Sequence, residues 1–200
     1  MIVVGIVGGI ASGKSVVARE FQSLGAKSID VDRVGHEVLT EPDVIQTLTE
    51  RWGTRVVVDG QLDRQAIARI VFAENTGAAE LAFLESVSHP KIANRVREEL
   101  VKLEEQGTVM VILDAALLLK AGWDQMCDNI VFVDVDRETR IDRAVKGRGW
   151  TREEYNQREQ SQLPLAEKRA KADILIDNSR GLDETRLQVR DVWERLIHKN

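Results

Sequence analysis

A single cysteine, Cys127, in 200 residues leaves no partner for an internal disulfide and no thiolate set for a zinc or iron–sulfur centre. The expectation for Cys127 itself is a plain core thiol. Long apolar runs are missing as well. The apolar prefix from Met1 to Ile10 has no basic leader and falls short of the roughly 20 residues that cross a bilayer, so it reads as a strand of a soluble, cytoplasmic protein with no membrane partner. Positive charge is outnumbered: 28 Lys and Arg against 33 Asp and Glu give a net charge of −5 and no overall basic footprint for nucleic acid. Repeats, low-complexity tracts and glycine-serine linkers are absent too. What is present, 43% hydrophobic and 30% charged residues, suits one globular body with a real core.

Five short segments rich in β-branched residues punctuate the chain: IVVGIV from Ile2, KSIDV from Lys27, VMVILDA from Val109, NIVFVDV from Asn129 and DILID from Asp173. Their nearly unbroken apolarity predicts strands covered on both faces, as in a parallel sheet. Between them lie helical patterns over residues 14–24, 63–106, 137–145, 151–172 and 182–197, so the expected class is α/β. Pro90 is expected to break the long central stretch and to leave His89 near a helix end. Residues 36–106, with one weak strand signal at Val56, read as a largely helical insertion between the second and third strands.

Directly after the first strand and before a helix, Gly8-Gly9-Ile10-Ala11-Ser12-Gly13-Lys14-Ser15 matches G-x-x-x-x-G-K-[ST]. Gly8 and Gly13 let the backbone approach phosphate, and successive N–H groups form an anion nest at the positive end of the helix. Lys14 would reach the β- and γ-phosphates and Ser15 would ligate Mg²⁺. The candidate nucleotide-binding residues are Gly8, Gly9, Ala11, Ser12, Gly13, Lys14, Ser15 and Val16. Such a loop serves kinases, GTPase switches and ATPase motors. Asp32-Arg33-Val34-Gly35 fits the D-x-x-G of a GTPase, but no N-K-x-D or T-K-x-D guanine reader follows, and a single Asp114 closes the third strand where a motor would carry an acid pair. A small-molecule kinase is the strongest of the three.

Ligands of open α/β sheets sit beyond the carboxyl ends of the strands. Asp30 and Asp32 are expected at the end of the second strand, pointing to the same side if the strand persists, and Asp114 at the end of the third. One would orient an attacking hydroxyl while another holds Mg²⁺. From Arg137 to Lys171 ten Lys or Arg face six acids. Arg140, Arg143 and then Arg148, in the glycine-flanked turn Lys146-Gly147-Arg148-Gly149, read either as a mobile lid that folds guanidinium groups over phosphates or as a solvated helix face.

Taken in order, the loop, Ile29-Asp30-Val31-Asp32 with His36-Glu37, His89-Pro90-x-Ile92, Asp114 with Leu117-Leu118-Leu119, Arg158-x-x-x-Gln162, LPLAEKRAKAD from Leu163 and IDNS from Ile176 resemble the dephospho-CoA kinase family over nearly the whole chain. The resemblance implies a five-stranded parallel P-loop kinase core, an acceptor-holding helical insertion over 36–106 and a lid over about 138–162. It implies transfer of the ATP γ-phosphate, with Mg²⁺, to the ribose 3′-hydroxyl of dephospho-CoA. By position it makes Asp32 the catalytic base and an acceptor contact. Lys14, Arg143 and Arg148 become phosphate-charge residues, Ser15 and Asp114 metal ligands, His89 and Leu117 acceptor contacts, and Asn178 part of an adenine-binding turn. Another nucleoside or nucleotide kinase, or a nucleotide-binding regulator with impaired catalysis, stays open as an alternative.

Overall fold

Seven consecutive buried residues make up β1 (Ile2–Gly8), a burden that only the middle of a sheet covered on both faces can meet. The computed structural model describes residues 1–198 and places β1 there. After it come α1 (Lys14–Ser23), β2 (Lys27–Asp30), α2 (Val31–Val38), α3 (Pro42–Trp52), the short strands β3 (Val57–Val58) and β4 (Gln61–Leu62), α4 (Arg64–Val71) and α5 (Gly77–Glu105). The chain continues through β5 (Met110–Asp114), β6 (Asn129–Asp134), α6 (Arg137–Arg148), α7 (Arg152–Gln160), α8 (Leu165–Ala170), β7 (Ile174–Asp177) and α9 (Leu182–Ile197). The sheet order is β2-β5-β1-β6-β7, every pair parallel. All five strand segments read from the sequence are present. One face of the sheet is covered by Val17, Phe21, Val189, Val192 and Leu196 of α1 and α9, packed on Val4, Ile6, Ile112, Val131 and Ile176.

The chain forms two compact units, Met1–Asp30 with the chain from Leu100 onward, and Val31–Glu99. The first holds the sheet. The second is helical apart from the β3–β4 hairpin, and buries Val34, Val38, Val44, Leu48, Trp52 and Val96. Polar staples tie it internally: Trp52 Nε1 donates to Glu80 at 2.6 Å, and Lys91 bridges Glu41 at 2.8 Å and Asp43 at 2.6 Å.

Three helical readings need correction. Pro90 does not break the central helix; α5 runs through it for 29 residues. Proline takes one donor from the Ser86 carbonyl, at a cost of about 3 kcal/mol. The buried face of Ser88, Ile92, Ala93 and Val96 brackets Pro90 and outweighs that local cost. The pattern over 63–106 is two helices, α4 and α5, and that over 151–172 is also two, α7 and α8, since Pro164 sits just before α8.

Candidate active site

The loop from Gly8 to Ser15 leaves the carboxyl end of β1 and enters α1 at Lys14. Gly13 takes φ 89°, and a Cβ there would lie 2.1 Å from Asn178 Nδ2, so only glycine fits on both counts. Asn178 uses this opening to donate from Nδ2 to the Ser12 carbonyl at 2.8 Å, while its Oδ1 accepts from Thr185 Oγ1 at 2.8 Å. Arg143 donates to the Asn178 carbonyl at 2.9 Å. Asn178 thus buttresses the loop from beneath. Replacing it with alanine strands the buried Ser12 carbonyl, so Asn178→Ala should lower stability by about 1–3 kcal/mol in urea unfolding. A loss under about 0.5 kcal/mol would contradict this role. Ala11 holds φ 58°, a strained value for a residue with a Cβ. The Ser12 hydroxyl is buried without a hydrogen-bond partner among the described residues.

Lys14 Nζ donates to the Gly9 carbonyl at 3.1 Å and to the Gly8 carbonyl at 3.5 Å. Burial pushes its pKa down to about 8; Lys168, Arg148 and Arg140 add repulsion, and Asp114 opposes them. This ammonium group sits in a cationic nest short of negative charge.

Asp114 ends β5 and is in register with Asp30 at the end of β2. Burial raises the Asp114 pKa, Lys14 pulls it back and Asp30 raises it further. Asp32 is not on the strand: β2 stops at Asp30, and Asp32 is exposed in the first turn of α2, within the second unit. The same-side argument for Asp30 and Asp32 therefore fails, because α2 begins at Val31. His89 also belongs to the second unit, half-buried on α5 and well inside the helix.

The basic stretch is more structured than its sequence promised. Arg140 is not on a solvated face: it is 3% exposed, its guanidinium bonded to Tyr155 Oη, to Glu159 at 2.6 Å and to the Val135 carbonyl at 3.1 Å. It lies so close under the loop that a Cβ on Gly9 would meet its Nη1 at 2.6 Å. Nor do residues 146–149 form a turn; α6 continues to Arg148 and only Gly149 turns left-handed, at φ 67°. Glu138 pairs with Arg152 across helices and Asp142 with Lys146. Exposed Arg148 and Arg158 both stack over Trp150, at 5.0 and 4.4 Å from its ring centre. Ile10 packs with Ile141, Ala144 and Tyr155, which ties the loop to α6 and α7.

A cavity of about 280 Å³ opens beside the loop, lined by Gly8, Lys14, Leu117, Lys120, Gln162 and Lys168 among others. Leu117 is partly exposed on its wall. The sequence reading missed Lys168, which is 8% exposed and joins Lys14 at the Gly8 carbonyl. Its signal was faint: one lysine among ten basic residues, distinguished only by falling inside LPLAEKRAKAD. Cys127 is half-buried rather than a core residue, its thiol pushed up to about 12 by burial and by Asp124 and Asp128.

Sheet order, loop and flanking cations define a P-loop kinase. A shikimate kinase from Acinetobacter baumannii shares that fold with a TM-score of 0.53 at 15% identity, over 100% of this chain and 95% of its own. A family model described as dephospho-CoA kinase matches residues 2–184, and the chain belongs to that family. A dephospho-CoA kinase of Carboxydothermus hydrogenoformans is 34% identical over 96% of this chain and 93% of its own length. The crystal structure of TT1252 from Thermus thermophilus superposes with a TM-score of 0.81 at 33% identity, covering 98% of this chain and 97% of that one. No helix among the described residues is long and apolar enough to cross a membrane.

Proposed function

We propose that this chain transfers the γ-phosphoryl group of ATP to the ribose 3′-hydroxyl of dephospho-CoA, giving coenzyme A and ADP in the cytoplasm. The observation that carries the reading is Lys14 at the mouth of a glycine loop, crowded by cations and facing a half-buried carboxylate, in a chain of this family. In the reaction the bond from Pγ to the β,γ-bridging oxygen breaks, a bond from Pγ to O3′ forms, and the hydroxyl proton passes to Asp32. Lys14 and the loop N–H groups hold the β- and γ-phosphates, with Gly8 to Val16 as the cradle. Arg143 and Arg148 neutralise the equatorial oxygens, and Asn178 keeps the loop in shape near the adenine. His89 and Leu117 contact the acceptor, residues 36–106 hold it, and residues 138–162 form the lid.

Ser15 and Asp114 fit a magnesium ion. Mg²⁺ asks for only one or two protein oxygens besides phosphate and water, and a carboxylate with a raised pKa beside Asp30 gains from a cation. Bound there with the triphosphate, it would offset phosphate charge. Release of ADP from ATP with dephospho-CoA, adenosine or AMP offered in parallel tests the reading. Turnover should follow dephospho-CoA, and a preference for adenosine or AMP would overturn it.

The depressed Lys14 pKa gives a pH signature. A triphosphate beside Lys14 raises the value again, so binding above about pH 8 must draw in a proton. Calorimetry in buffers of differing ionisation enthalpy should therefore show uptake of up to about one proton near pH 9 and little near pH 7. ATP affinity should weaken progressively as pH rises through that range. Uptake that is the same at both pH values would contradict the assignment.

A further inference from the structure

Lysine is almost never buried without a partner of opposite charge. Lys168 is 8% exposed on α8, yet its two hydrogen bonds among the described residues go to neutral oxygens, Gln162 Oε1 at 2.8 Å and the Gly8 carbonyl at 3.5 Å. Glu159 stands near, but its Oε1 already accepts from Arg140 and Tyr155, and its Oε2 from Arg137. Lys14 Nζ lies 3.5 Å from the same Gly8 carbonyl, so two ammonium groups converge on one oxygen at the end of β1. Gln162 and Lys168 line both the 280 Å³ cavity that contains Lys14 and a second of about 200 Å³ that contains Gly9 and Arg140.

This arrangement works against the unliganded fold. Burial holds the Lys168 pKa down and Arg140 repels it, while Lys168 is the leading charge acting against Lys14. Two like charges around one carbonyl gain their compensation when a polyanion enters. Gln162 fixes the direction of the Lys168 side chain at little entropic cost on binding. We propose that Lys168 is a second phosphate-holding lysine of this site, its ammonium group binding oxygens of the terminal phosphates of ATP from the side of α8. The inference rests on the kinase reading above, and it assigns to Lys168 a charge-neutralising contact that Lys14 alone does not fill.

The experiment compares wild type with Lys168→Met, which keeps the stem and removes the charge, by calorimetric titration with AMP, ADP and ATP and no acceptor. AMP affinity should hold within about twofold and ATP affinity should fall about tenfold, with ADP between them, because the loss scales with phosphate charge. Single-turnover transfer to dephospho-CoA should slow by about tenfold or more, and Lys168→Arg should recover most of it. Equal weakening of all three nucleotides with a lowered Tm would make Lys168 a strut between α8 and β1 and overturn the proposal. So would unchanged ATP affinity. Should the methionine variant fail to fold, acylation of Lys168 in the wild-type protein, read by mass spectrometry, decides: ATP should protect it and AMP should not, and equal labelling would overturn the proposal. Wild type that binds ATP but leaves dephospho-CoA untouched would sink the acceptor reading while the nucleotide comparison still judges Lys168.

Discussion

Asp32→Asn should lower kcat by roughly 10²–10⁴ and leave ATP affinity within a few-fold. A ribose hydroxyl is far too weak an acid for a carboxylate to deprotonate beforehand, and phosphoryl transfer passes through a loose transition state with little need of early nucleophile activation. In the role proposed above, Asp32 would work mainly by orienting the 3′-hydroxyl in line with Pγ and accepting its proton late. It is exposed in the first turn of α2, two residues after β2 ends at Asp30. Asparagine keeps the size and one acceptor but loses the charge and the proton sink. The loop and its cations, the proposed nucleotide-binding residues, are untouched. Strongly weakened Mg·ATP binding with normal single-turnover transfer would instead make Asp32 a metal-shell residue, and the base would be sought at Asp30 or Asp114.

The sheet and the loop were legible because both are local. Val-, Ile- and Leu-rich runs of five to seven residues admit few homes other than a doubly covered strand, and the loop's spacing carries its own conformation. The errors arose where tertiary contacts outweigh local preference. Pro90 argues for a break on any local reading, and only the burial of Ile92, Ala93 and Val96 beyond it shows why α5 continues. The strand alternation placing Asp30 and Asp32 together was sound physics on an element that ends at Asp30.

Side-chain roles in the basic stretch were the least legible. Arg140, Arg143 and Arg148 look alike in sequence. The fold sends the first into a buried network with Tyr155 and Glu159, the second to the Asn178 carbonyl, and leaves the third stacked on Trp150. No periodicity separates these fates, because those of Arg140 and Arg143 depend on α7 and on the turn after β7 returning to the same place. Lys168 went unseen for the same reason: its partner, the Gly8 carbonyl, is 160 residues away.

Lys14→Ala should lower kcat by about 10²–10³ or more, the cost of removing one electrostatic donor aimed at developing charge. The accompanying change in stability is the sharper part of the expectation. Lys14 is held charged against burial, Lys168, Arg148 and Arg140, with Asp114 as its counterweight, so in the unliganded protein its charge opposes folding. Its two hydrogen bonds run to the Gly8 and Gly9 carbonyls, and the first of these keeps Lys168 as a donor. Removing the ammonium group relieves repulsion and gives up both hydrogen bonds, while each carbonyl keeps another donor, Lys168 at Gly8 and the Ser12 N–H at Gly9. The unliganded variant should therefore melt at the wild-type temperature or slightly above it near pH 7. That advantage should shrink as pH rises through the window between about 8 and the ordinary lysine value of 10.5, where wild-type Lys14 becomes neutral in the folded state before the unfolded one. The stabilising effect of saturating ATP on Tm should be much smaller than in wild type. Lys14→Arg should not restore the rate, because a forked guanidinium cannot take the place of a compact point charge in a loop this tight. Retention of more than about a tenth of wild-type kcat in Lys14→Ala would remove the loop lysine from the transition state, and a large fall in Tm would make it a structural strut instead.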